Sequence, residues 1–137
     1  MCIRDSDCGA LGSFEATRFA TGQRNANQFE IFGSQGALRW DLEDLTRLEF
    51  YSKEDPSHLR GYRTILASEP EHPYVGKWWP PGHAIGYEHT FVHAVADFLT
   101  AISKGQPISP DFTDGLRVFQ VLEAANTSAD SGQRVNA

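Results

Sequence analysis

The side chains best suited to meet a ligand are concentrated in Trp78-Trp79-Pro80-Pro81-Gly82-His83-Ala84-Ile85-Gly86-Tyr87-Glu88-His89-Thr90-Phe91. Two indoles, two imidazoles, a phenol and a carboxylate sit in a Pro/Gly-stiffened segment that runs straight into a helical pattern. Trp78, Trp79, His83, Tyr87 and His89 are the candidate substrate contacts. Aromatic faces stack on sugar-like rings, and imidazole and phenol groups exchange hydrogen bonds with hydroxyls. Packing is the open alternative, with the tryptophans closing the edge of a core and the prolines stiffening a crossover. His83 and Tyr87, four residues apart, share a face if the helix starts early.

Other chemistries find less support. His89 and His93 stand at i, i+4, but Glu88 precedes the pair, whereas zinc proteases carry their general base inside it. No third ligand accompanies them, so no metal residue is assigned. There is no G-x-S-x-G elbow, and neither Cys2 nor Cys8 has an electropositive setting, so no catalytic residue is assigned. The carboxylate pairs Glu43/Asp44 and Glu69/Glu71 read as solvated surface. Gly33-x-x-Gly36 joins two strands, and Gly9-x-x-Gly12 is not the G-x-G-x-x-G turn, so no cofactor-binding residue is assigned.

The elements that must position the loop follow from hydrophobic periodicity. Ser13–Ala20 alternates as a half-buried strand. Gln28–Phe32 and Ala37–Asp41, joined across Gly33-Ser34-Gln35-Gly36, read as a β-hairpin. Leu45–Tyr51 and Tyr62–Leu66 extend the meander. From Tyr87 to Ser103, Phe91, Ala94, Val95, Phe98, Leu99 and Ile102 form an amphipathic stripe, and Lys104-Gly105 suits its C-terminal end. A second helix runs from about Thr113 to Ser131, capped by Asp111 or Thr113 and ended by Gly132. Arg134-Val135-Asn136 is expected to return as an edge strand. The expected fold class is α+β: an open, mainly antiparallel β-sheet with two helices packed on one face and covering its apolar side.

Bulk properties narrow the partners. The chain has 137 residues and a net charge of −6, and it fits one domain. No Lys/Arg stripe exists to neutralise phosphates, so nucleic acid is not an expected partner. No run of about 18 apolar residues exists, so no membrane partner is expected. Two N-terminal cysteines build no disulfide framework, which points to a reduced, cytoplasmic setting. Met1-Cys2-Ile3-Arg4-Asp5-Ser6 has no apolar h-region. Residues 1–8 resemble a non-native leader ahead of a truncated reading frame, leaving residues 9–137 as the domain.

Three segments then resemble a family. Glu30-Ile31-Phe32-Gly33-Ser34-Gln35-Gly36-Ala37-Leu38 is similar to the E-I-x-G-x-x-G-x-L hairpin of the C-terminal domain in Gfo/Idh/MocA oxidoreductases. Asp97-Phe98-Leu99-x-Ala101-Ile102-x-x-Gly105-x-Pro107 resembles its D-F-x-x-A-I-x-x-G-x-P helix end. Asp114-Gly115-Leu116-Arg117-Val118 through Ser131-Gly132 resembles its closing helix. The Trp-Trp-Pro-Pro-Gly-His loop is similar to that of sugar or inositol dehydrogenases. The resemblance implies a C-terminal substrate and oligomerisation domain of an NAD(P)-dependent enzyme acting on a sugar, inositol or related polyol. NAD or NADP would bind an N-terminal Rossmann domain that is missing here, and this chain alone would bind none and be inactive. It further implies a homo-oligomer, dimer or tetramer, assembled through the β-sheet. The competing expectation is a stand-alone, non-catalytic β-sheet module for binding or oligomerisation.

Overall fold

The computed structural model describes residues 2–5 and 9–136. The chain divides into two compact units: residues 22–97, and residues 1–21 together with 98–137.

The first unit is built on a four-stranded antiparallel sheet in the order β3-β4-β5-β6, comprising Gln28–Phe32, Gly36–Asp41, Arg47–Ser52 and Arg63–Leu66. Register puts Glu30 opposite Arg39, Arg39 opposite Glu49, and Glu49 opposite Thr64. Because side chains alternate across a strand, this row defines a charged face, with Phe29, Ile31, Leu38, Trp40, Leu48, Phe50 and Ile65 on the other. The expected meander is present, with β5 starting two residues later than expected because Leu45 and Thr46 complete the turn that follows the 3-10 segment Leu42–Asp44, itself capped by Asp41. Gly36 is required where the first hairpin meets its neighbour. A Cβ there would lie 2.6 Å from the Tyr51 carbonyl oxygen, well inside contact distance. Trp40 stacks on Phe29 at 5.5 Å and donates its indole N–H to the Leu45 carbonyl.

The second unit contains a short antiparallel hairpin, β1 (Cys2–Asp5) with β2 (Leu11–Phe14), and helical segments. Helix α1 spans Tyr87–Lys104, with its first turns in the sheet-containing unit and its remainder here, and α2 spans Phe112–Ser131. Asp111 caps α2 by accepting the Thr113 and Asp114 N–H groups, while Asp114 returns a carboxylate to the Asp111 N–H. That reciprocal arrangement is a capping box. Those bonds hold the Asp111 carboxyl below its usual range, the Asp114 and Thr113 N–H groups contributing in that order. Gly132 closes α2 at φ 67°, as the sequence suggests.

The fold class is the expected α+β one, an open antiparallel sheet with two helices. Three expectations are corrected. The strand foreseen at Ser13–Ala20 lies instead at Leu11–Phe14, because the ladder with β1 supplies four partners and then stops; Phe19 is 94% exposed. Arg134-Val135-Asn136 forms no strand among the described residues. The apolar stripe of α1 is not buried within the chain: Phe91, Val95, Phe98, Leu99 and Ile102 are 53–62% exposed. Periodicity marks which face of a helix is apolar, not what covers it.

Candidate functional site

The candidate loop is assembled in stages after β6. Pro70 and Gly76 approach so closely that a Cβ at Gly76 would stand 3.2 Å from the Pro70 carbonyl oxygen. This fold-back buries Ser68 and Val75. Tyr74 is bent into the left-handed region at φ 68°, a conformation that costs a bulky residue about 1–3 kcal/mol. It is held there from both ends of its side chain. The hydroxyl donates to Asp97 Oδ2 at 2.6 Å, and the ring stacks on His93 at 4.1 Å. The bond to Asp97, with minor desolvation and the adjacent negative charge, raises the Tyr74 phenol above its ordinary value of 10.0.

A 3-10 turn, Val75–Lys77, then delivers Trp78 onto α1. Its indole N–H donates to His93 Nε2 at 2.7 Å, and its ring meets His89 edge-on at 4.4 Å. Pro80-Pro81-Gly82 turns the chain, with Gly82 at φ 87°. The His83 Nδ1 lies 2.9 Å from the Pro80 carbonyl oxygen. A carbonyl only accepts, so Nδ1 carries the proton and Nε2 keeps a lone pair in the neutral ring. The helix opens with a second imidazole contact, as the Gly86 N–H donates to His89 Nδ1 at 3.0 Å. His89 therefore plays the returning half of a capping box for the first turn of α1.

The structure thus separates the five candidates into two groups. Trp78 and His89 are engaged inside the chain, and the His89 side chain is only 13% exposed. Trp79, His83 and Tyr87 are exposed. Tyr87 packs edge-on against Phe91 one turn along. Because α1 begins at Tyr87, His83 lies in the loop and shares no helical face with it. The i, i+4 histidines, weighed as metal ligands, instead each accept an N–H from the loop. Among the described residues no group of three His, Cys, Asp or Glu is placed to hold a metal ion.

Sequence reasoning missed Tyr74 and Asp97 at this site. Asp97 lies at i+4 from His93, which continues the His89–His93 row by one turn, and that spacing was the available signal. It also missed Arg39. On the charged sheet face Arg39 lies over the Tyr62 ring at 4.0 Å, with its Nε 3.0 Å from Glu30 Oε1. The contact is an ion pair rather than an aligned hydrogen bond. Arg39 lines a groove of 640 Å³ with Gln28, Asp41, Arg47 and Glu49. No residue of the aromatic loop contributes to that groove.

With this geometry in hand, the class is set by the match of residues 7–137 to an oxidoreductase family, C-terminal alpha/beta domain. The chain belongs to the Gfo/Idh/MocA oxidoreductases, as its C-terminal domain. It is 39% identical over 122 residues to a levoglucosan dehydrogenase from Pseudarthrobacter phenanthrenivorans, covering 88% of this chain and 31% of that protein. Among solved structures, an oxidoreductase domain protein from Kribbella flavida matches with TM-score 0.93 and 53% identity, covering 96% of this chain and 34% of that one. A levoglucosan dehydrogenase in complex with NADH and levoglucosan matches with TM-score 0.90 and 36% identity, over 96% of this chain and 36% of its own. The chain therefore spans about one third of the length of these relatives.

Proposed function

We propose that this chain is the substrate and assembly domain of a sugar dehydrogenase. In the complete protein an N-terminal Rossmann domain would bind NAD and supply the catalytic residues. The reaction would be oxidation of a hydroxyl on a sugar, an anhydrosugar or a related polyol, or reduction of the matching ketone. The observation that carries this reading is the 36% identity, over 96% of the chain, to a levoglucosan dehydrogenase holding NADH and levoglucosan.

Within the domain we assign substrate contact to Trp79 and His83, exposed on the loop, and to Tyr87, exposed at the start of α1. Trp78 and His89 hold the loop in place. The charged sheet face, with acidic Glu30, Asp41 and Glu49 interleaved with Arg39 and Arg47, suits assembly with a second copy, because both signs are available for self-complementary pairing. Recovering the upstream reading frame and assaying NAD reduction with levoglucosan, other sugars and inositol tests the activity. An upstream frame without a Rossmann fingerprint, or a complete protein inert on all of these polyols, would reject it. In the active protein, Trp79→Ala and His83→Ala are each expected to lower kcat/KM about tenfold, the effect of ~1.4 kcal/mol in binding. Unchanged kinetics in both variants would return the loop to a packing role.

A further inference from the structure

Two observations on the loop concern how it is held rather than what it meets. Trp78 Nε1 donates to His93 Nε2, and Gly86 N donates to His89 Nδ1. An indole N–H and a backbone N–H are donors only, so both imidazole nitrogens must be unprotonated. The two rings lie one turn apart on the same face of α1 and receive the loop at its two ends. We infer that His89 and His93 are positioning residues: as neutral acceptors they fasten the Trp78–Gly86 loop to α1, and their protonation releases it.

The chemistry of release is specific. A proton on His93 Nε2 would set two N–H donors against each other where one hydrogen bond stood. A proton on His89 Nδ1 would do the same to Gly86, and it has another destination. Glu88 Oε1 lies 3.3 Å from that nitrogen, and the Glu88 carboxylate overhangs Gly86 closely enough that a Cβ there would collide with it. His89 can thus exchange a backbone donor for a carboxylate acceptor. The other groups facing the pair are Tyr74, stacked on His93, and Asp97, bonded to the Tyr74 hydroxyl. Tyr74 keeps its proton beyond the ordinary tyrosine range, so it stays a neutral platform throughout. Histidine is the side chain that ordinarily changes charge between about pH 5 and 8. That the fastened loop presents Trp79 and His83 to a sugar rests on the reading proposed above; the fastening itself does not.

The test uses the chain itself, labelled with ¹⁵N-tryptophan. It has three tryptophans, so three indole N–H signals are expected, and Trp78→Phe identifies the one that matters. Between about pH 8 and about pH 5 the Trp78 indole proton is expected to lose its hydrogen-bonded downfield shift. Its midpoint should coincide with that of the His93 ring. The Trp40 indole, bonded to the Leu45 carbonyl, is the internal control and should not move. His93→Gln leaves an amide oxygen near the position of Nε2 and should hold Trp78 bound at both pH values. His93→Leu should leave it unbound at both, with helical circular dichroism verifying that α1 is intact. A Trp78 signal that stays fixed while His93 titrates, or that still shifts with acid in His93→Gln, would overturn the inference. Neither outcome depends on substrate turnover, so failure here is separable from failure of the Trp79 and His83 kinetics.

Discussion

At the residue scale, Tyr74 shows how one side chain can hold a strained loop. Its φ of 68° is unfavourable on its own, and the bond to Asp97 with the stack on His93 compensates. The same bond favours the protonated phenol, so the folded value lies above the unfolded value of 10.0. The sign follows: the interaction stabilises the fold fully below the unfolded value and is lost as pH rises through the folded one. Ultraviolet difference titration should find Tyr74 ionising above an ordinary tyrosine, and Asp97→Ala should bring it back toward 10.0. A Tyr74 titration indifferent to Asp97→Ala would remove this account. His93 shows why such roles are hard to see in advance. In the chain it is one histidine of an i, i+4 pair, a pattern that reads most simply as a solvated or interface-facing flank and does not reveal a hydrogen-bond acceptor. Only the approach of the Trp78 indole does so.

At the element scale, local rules were most informative where they act within a few residues. The β3–β4 hairpin was legible because Gly33 and Gly36 bracket a polar turn between two apolar runs, and Gln28–Phe32 appears with the expected bounds. Helix α2 was legible from its Gly132 stop and from a cap that the sequence left between Asp111 and Thr113, of which Asp111 is the one used; both ends rest on local backbone bonding. The β2 strand was misplaced because its extent depends on a partner, and alternation in Glu15–Phe19 says nothing about where pairing ends. Gly36 offers a test of the sheet. Gly36→Ala forces a methyl to within 2.6 Å of the Tyr51 carbonyl, an overpacking expected to cost about 1–3 kcal/mol. A lowered urea midpoint with an unchanged slope would show it. Gly61→Ala, which meets nothing within 4 Å, should leave the midpoint where it is.

At the scale of the whole molecule, the charges at the helix ends bear on what the chain binds alone. Both of its long helices begin with carboxylates, Glu88 in the first turn of α1 and Asp111 with Asp114 on α2. These occupy the N–H groups or oppose the charge that would otherwise hold a pyrophosphate. Calorimetric titration of NADH into the isolated chain is therefore expected to show no saturable binding, and tight binding would contradict the proposed division of labour. Sequence alone settled the β3–β4 hairpin, the two long helices, the apolar stripe of α1 and the family, since these follow from periodicity, turn chemistry and short motifs. It also located the aromatic loop. Which of that loop's residues are spent on holding it and which stay exposed was decided only in three dimensions. A hydrogen bond between Trp78 and His93 links positions fifteen apart, and no local pattern specifies a donor and an acceptor that meet only after the chain has turned back on its helix.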